Sequence, residues 1–396
     1  MSVRHPRLAL RPGAQRRLRS GHPWIYSNEI AFDERVKALP DGSIVTVTDA
    51  GGALLATAQF NPHTLIAARV LDVAADVPVN AGFFTARIAR ALAMRTALYG
   101  RPFYRLIHAE ADGLPGLVID RYDDVCVVQP NTAGMQAALP VIAAALTDLL
   151  RPRAIVLRGD SSARGLEGLA DEVKLIAGAL DGPVRVEENG AVFDADVIGG
   201  QKTGWFFDQR DNRAFMASLS EGATVVDLYT HTGGFAVAAA KAGAARVTAV
   251  DSSQHALDLA ARAAKDNGVA DRFAVTRGEV YGVLEQAAAR KETWQVVIAD
   301  PPAFVKSRKD LKAGLQGYRK LARLCAAVTA PGGWMFIASC SHNAPLDEFT
   351  AAVARGLHDA GRTGRIARTS GAGADHPVHP MLPESAYLKA LTLALD

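Results

Sequence analysis

The chain has 396 residues, of which 49% are hydrophobic and 21% charged, with a formal net charge of +3. That composition allows two or three domains with sizeable cores and excludes a disordered chain. No apolar run reaches membrane-spanning length and no charged-then-apolar leader opens the sequence, so no membrane partner and a cytoplasmic location are expected. Three cysteines (Cys126, Cys325 and Cys340) make an odd count without metal-ligand spacing. A reducing compartment and no metal site follow.

The first twenty residues hold Arg4, Arg7, Arg11, Arg16, Arg17 and Arg19 and no acid. Such a run is either a solvated face or a phosphate-binding surface, with Arg16 and Arg17 as candidate RNA contacts. The mild net charge does not by itself establish a nucleic-acid partner. Short strands are predicted over 43–48, 54–60 and 66–71 around a turn at 49–52, which suggests a small β-barrel over residues 1–75. The segment AADVPVN from Ala74 reads as a linker.

A second domain, 76–184, begins with a helix over 81–98. Strands follow near 104–109, 116–120 and 125–129, then an apolar helix over 135–150 and a strand over 154–157, an α+β pattern. The third domain, 185–396, opens on a hairpin turned by Asn189-Gly190, the strongest short hairpin signal.

The rest alternates strand and helix as a doubly wound α/β sheet, and its organising stretch is VVDLYTHTGGF, residues 225–235. It reads strand, glycine turn and helix start. The turn lets a backbone approach a ligand at Gly233 and Gly234. Asp227 ends this strand. Asp251 ends the next, near the ~20-residue spacing at which an acid can hold ribose hydroxyls. The turn lacks the third glycine of G-x-G-x-x-G, and there is no P-loop. A tight turn in some other α/β protein remains open on these residues alone.

Further strands are predicted over 295–299, ending on Asp300-Pro301-Pro302, and over 334–338, ending on Ser339-Cys340-Ser341. The prolines remove two donors and fix φ, so the chain leaves the strand stiff and Asp300 is held in place. Asp300 could equally cap a turn. Cys126 and Cys325 read as apolar filler, whereas Cys340 stands at a strand end on the edge where Asp227, Asp251 and Asp300 emerge. A thiol there is either a nucleophile or a small packing residue. Lys306 and Arg308 lie in a basic loop that either is solvated or contacts phosphate. QKTGWFFDQRDNR, 201–213, is either a core stripe or a lid carrying Lys202 and Arg210. His376 and His379 lack credible metal partners.

Taken together, QKTGWFFDQRDNR, DLYTHTGGFAVAAA, VDSS, DPPAFVKSRKDL, SCSHN and DHPVHPMLPESAYLK resemble the RlmI-type large-subunit ribosomal RNA cytosine-C5 methyltransferases. PRLALRPGAQRRLRSGHPWIYSNEI resembles their PUA domain and YRLIHAEADGLPGLVIDRYDD their EEHEE middle unit, so the likeness covers essentially the whole chain. The resemblance implies a class I Rossmann-like methyltransferase domain, S-adenosylmethionine as cofactor and large-subunit ribosomal RNA as partner; it leaves room for a homodimer. It implies that Lys202, Thr203, Arg210, Asp227, Thr232, Gly233, Phe235, Asp251, Ser252, Glu279 and Asp300 line the cofactor, and that Cys340 is the nucleophile with Asp300 on the target-base side. His231 and Glu279 depart from the usual aromatic and aspartate. The rival readings are a guanine or amino-group RNA methyltransferase of the same fold, a nicotinamide-dependent dehydrogenase, and a non-enzymatic RNA-binding protein.

Overall fold

The computed structural model describes residues 4–200 and 202–396; Gln201, which opens the expected lid segment, lies outside them. By its contacts the chain divides into two units. The first runs up to Val184 and includes Asp196–Trp205 and Ala374–Ser385; the second comprises Arg185–Ala195, Phe206–Gly373 and Ala386–Asp396. Among the described residues, no helix is long and apolar enough to cross a membrane.

In the first unit, β1 (Arg7–Ala9), β2 (Trp24–Ile25), β3 (Ser43–Thr48), β4 (Leu54–Phe60) and β5 (Ala68–Asp72) form a sheet of order β1-β3-β4-β5-β2. Leu8, Ile25, Val45, Val47, Ala58 and Phe60 fill its core. A second sheet has the order β10-β9-β8-β7-β6. Its strands are β6 (Phe103–His108), β7 (Leu117–Tyr122), β8 (Val125–Pro130), β9 (Ala154–Gly159) and β10 (Glu172–Gly178). Helices Ala81–Leu98 and Leu139–Leu150 pack with it, and the apolar run expected as one helix breaks before Leu139, where Pro140 takes the first turn.

The second unit holds β11 (Val184–Glu188) from Arg185 onward and β12 (Ala191–Ala195), which form the expected hairpin with Asn189 and Gly190 both at positive φ. The main sheet is seven-stranded: β13 (Thr224–Leu228), β14 (Arg246–Asp251), β15 (Phe273–Arg277), β16 (Trp294–Ala299), β17 (Thr329–Ser339), β18 (Gly364–Ser370) and β19 (Lys389–Leu395), in the order β15-β14-β13-β16-β17-β19-β18. The first five strands in chain order are parallel, and the central ones, β13, β14 and β16, are apolar runs largely buried on both faces. β19 is antiparallel to both its neighbours. Strand order reverses beside β13, so β13 and β16 leave the sheet at the switch point where α/β sheets take their ligands.

Candidate active site

Because β13, β14, β16 and β17 are parallel and in register, their carboxyl ends share one edge. That edge brings together Asp227, Asp251, Asp300 and Cys340. The turn after β13 carries two residues in left-handed backbone conformation that are not glycine, Tyr229 at φ 61° and His231 at φ 51°. The strain is offset by specific fasteners. Asp251 Oδ2 accepts from His231 N at 2.9 Å, and its Oδ1 accepts from Ser253 N at 2.9 Å. Thr230 N donates to the Val250 carbonyl at 3.0 Å.

Asp227 is almost wholly buried. Its Oδ2 accepts from Thr230 Oγ1 at 2.5 Å and from Ala236 N, at the start of helix Gly234–Lys241, at 3.0 Å. Its Oδ1 is buried without a hydrogen-bond partner among the described residues. Burial pushes its pKa up to about 7, against the lowering effect of those two donors, while the Asp300 charge adds a smaller upward push. An orphaned carboxylate oxygen costs free energy unless a donor arrives. The position therefore fits the ammonium of an amino-acid ligand, and so fits S-adenosylmethionine.

The room at the two glycines is taken by the chain's own atoms. Gly233, at φ +84°, would place a Cβ 3.0 Å from Ala260, and a Cβ on Gly234 would meet Arg213 Nε at 2.5 Å. Arg213 is locked by Glu188 Oε1 at 2.6 Å and by the Phe206 carbonyl at 2.9 Å, so the β11–β12 hairpin and the glycine turn are fastened through one guanidinium. Arg210, also buried, lies 3.8 Å from Glu188 and 5.5 Å from the Phe207 ring centroid. Thr232 is buried beside His231, and Phe235 is buried against Phe336 with ring centroids 5.2 Å apart. Ser252 is exposed, with its carbonyl accepting from Arg277, and Glu279 is exposed where helix Val280–Ala289 begins. Lys202 and Thr203 belong to the first unit, where the Thr203 carbonyl accepts from Tyr122 Oη at 2.9 Å. Lys306 and Arg308 are exposed.

Asp300 is half-buried, with its amide donating to the Leu228 carbonyl at 3.4 Å. Cys340 is also half-buried, whereas Cys126 and Cys325 are fully enclosed and burial pushes both their thiols up to about 12. Around Cys340 lies a hydroxyl network not anticipated from the sequence. Tyr318 Oη bonds to Ser339 Oγ at 2.7 Å and to Ser341 Oγ at 2.9 Å, and Ser341 Oγ accepts from Val305 N at 3.1 Å. The loop after Asp-Pro-Pro is thereby tied to the end of β17. Lys389, at the start of β19, donates to the Ser341 carbonyl at 2.7 Å.

Comparison with known proteins agrees with this geometry. A PUA-like domain model matches residues 8–72, and an S-adenosylmethionine-dependent methyltransferase model matches residues 172–366. Ribosomal RNA large subunit methyltransferase I of Shewanella amazonensis is 36% identical over 391 residues, 97% of this chain and 98% of that protein. The Aeromonas hydrophila protein of the same name is 37% identical over 388 residues, 96% of this chain and 97% of its own. Among solved structures, SMU.776, crystallised with SAH, superposes with a TM-score of 0.84 at 20% identity, covering 98% of this chain and all of that one. That likeness extends the agreement in fold beyond the methyltransferase sheet. With its PUA-like domain, its S-adenosylmethionine-dependent methyltransferase domain and full-length relatives above one-third identity, the chain belongs to the ribosomal RNA large subunit methyltransferase I family.

Proposed function

We propose that this protein methylates C5 of a cytosine in large-subunit ribosomal RNA, with Cys340 adding to C6 of the base. The observation that carries the reading is the place of Cys340: a half-buried thiol at the end of β17, on the edge that presents Asp227, Asp251 and Asp300. Cytosine C5 is a poor nucleophile until an electron pair is pushed into the ring. Addition of the thiolate at C6 does this, and Asp300, beside the base, is suited to hydrogen-bond N4 and orient it. When bound, the cofactor supplies the electrophilic methyl group that the activated C5 takes. Removal of the C5 proton by a base then returns its electron pair to the C5–C6 bond and expels the thiolate. Methylation of an amino group needs no such sulfur. The base must be unstacked to reach the pocket, which suits a loop or single-stranded segment. Mapping 5-methylcytosine in large-subunit RNA from cells with and without the gene tests the reading; an unchanged map sinks it.

In the same reading, Asp227 Oδ1 accepts from the cofactor ammonium and Asp251 holds its ribose. Glu279 would stand towards the adenine, with Thr232, Gly233, Phe235, Ser252 and Arg210 in supporting positions. The buried carboxyl has a consequence for stability. Folded Asp227 keeps its proton up to about pH 7, whereas an unfolded aspartate releases it near its ordinary value of 3.8. Between those values the native state binds the extra proton. This contribution is therefore full below the unfolded value and is lost as pH rises through the folded one, with a slope of at most about 1.4 kcal/mol per unit. Thermal melts of the unliganded Asp227→Asn protein should fall less steeply with pH over this interval than those of the wild type. Parallel curves would show that Asp227 is not the group that titrates.

Arg16 and Arg17 are proposed to contribute sequence-independent RNA affinity from the PUA-like domain. Arg16 is exposed; Arg17 lies 3.4 Å from Glu29 and 4.4 Å from the Tyr26 ring centroid, so it is partly neutralised. Replacing both by alanine should weaken RNA binding and flatten its salt dependence, by roughly 0.7 in log–log slope for each arginine that meets a single-strand phosphate. Binding of S-adenosylhomocysteine should be unchanged. Identical RNA affinity across a salt series would assign the run to a solvated face.

A further inference from the structure

Lys389 sits in an unusual electrostatic position. Its backbone lies directly across from Ser339 in antiparallel register, and its side chain reaches the Ser341 carbonyl at 2.7 Å. The residue thus spans both flanks of Cys340. It is only 9% exposed, and lysine is seldom buried to this degree without a partner anion. Among the described residues the carbonyl is the one hydrogen-bond acceptor of its ammonium, which has three protons to give, and no carboxylate lies within ion-pair distance. Burial pulls its pKa down, and the charge acting against that pull is that of Cys340.

Other groups also surround the thiol. Tyr318, from helix Leu311–Val328, is bonded to Ser339 and Ser341, and burial with the Cys340 charge keeps its phenol neutral. His342 is exposed and stacked on Tyr387 with ring centroids 5.2 Å apart. Asp300, on the adjoining strand end, would oppose a thiolate, and Lys306 and Arg308 lie on an exposed loop.

We propose that Lys389 is the charge partner of Cys340, holding the sulfur as a thiolate for attack on the base. It is a positioning residue: it acts through Cys340 and has no contact with the RNA in this scheme. The proposal rests on the reading of Cys340 as nucleophile for its meaning, though the pairing itself is measurable without RNA or cofactor.

The test follows alkylation of Cys340 by iodoacetamide in the full-length protein, read by peptide mass spectrometry across a pH series. The thiolate displaces iodide to form a thioether, so the rate follows ionisation. Cys126 and Cys325 are enclosed and serve as internal controls. Lys389→Met removes the charge and the donor; Lys389→Gln removes the charge and keeps an N–H for the Ser341 carbonyl. The pH of half-maximal rate should rise by about one unit or more in both variants, with roughly tenfold slower alkylation near neutrality. Should the methionine variant fail to fold, the glutamine variant decides. A wild-type midpoint in Lys389→Gln overturns the proposal, because hydrogen bonding to Ser341 would then suffice. Trapping with 5-fluorocytosine RNA separates the two readings. A shifted midpoint without a trapped adduct on the wild type removes the nucleophile role and leaves the pairing intact.

Discussion

Replacing Cys340 by alanine is expected to reduce methyl transfer to background while the protein folds normally and still binds cofactor. In the proposed reaction the Cys340–C6 bond breaks once the C5 proton is removed. Fluorine at C5 cannot leave as a proton does, so RNA containing 5-fluorocytosine should accumulate as a covalent complex on a denaturing gel. Cys340→Ala should lose that band together with activity. Cys126→Ala and Cys325→Ala should keep the band, since these thiols are enclosed in β8 and in helix Leu311–Val328. Folding should survive the change at Cys340, because the Tyr318–Ser339–Ser341 network bonds through hydroxyls on either side of it. Substantial methylation by Cys340→Ala would rule out the addition mechanism and favour methylation of a nitrogen.

Asp251→Ala should weaken S-adenosylhomocysteine binding by at least about tenfold. The carboxylate already accepts from His231 N and Ser253 N, one on each oxygen, which aims its remaining lone pairs beyond the strand end. The substitution removes the proposed ribose acceptor and also the anchor of a turn containing two left-handed non-glycine residues. Hydrogen bonds to a charged group are worth about 1.5–3 kcal/mol each, so both losses act in the same direction. Titration calorimetry measures the affinity, and a melt of the same protein reports the loosened turn. An unchanged dissociation constant would place the cofactor elsewhere.

Much of this arrangement was legible in the sequence because the central parallel strands are largely buried on both faces. The apolar runs before Asp227, Asp251 and Asp300 announced β13, β14 and β16, and the two glycines announced the turn. Four edge strands were not legible. β10 and β18 are largely exposed along their length, so neither carries an apolar pattern to read. β1 and β2 are too short to show one. The reason for the glycines was also hidden: the space at Gly234 belongs to Arg213, a residue 21 positions earlier whose partner Glu188 lies on the hairpin. Lys389 left no local signal, since its role depends on a strand pairing made across the sheet. Its only trace was its place in the segment DHPVHPMLPESAYLK.

The antiparallel insertion of β19 also bears on the order of events during synthesis. β18 is made before β19 yet finds its ladder neighbour only in β19, and β17 has one side open until the same strand arrives. On the ribosome, the Rossmann sheet therefore waits as an unfinished platform with β17 exposed at an edge, a template for mispairing. Arrival of β19 covers that edge, seats β18 and brings Lys389 to the Ser341 carbonyl. Under the proposed pairing, closure of the sheet and arming of the thiol would be one event.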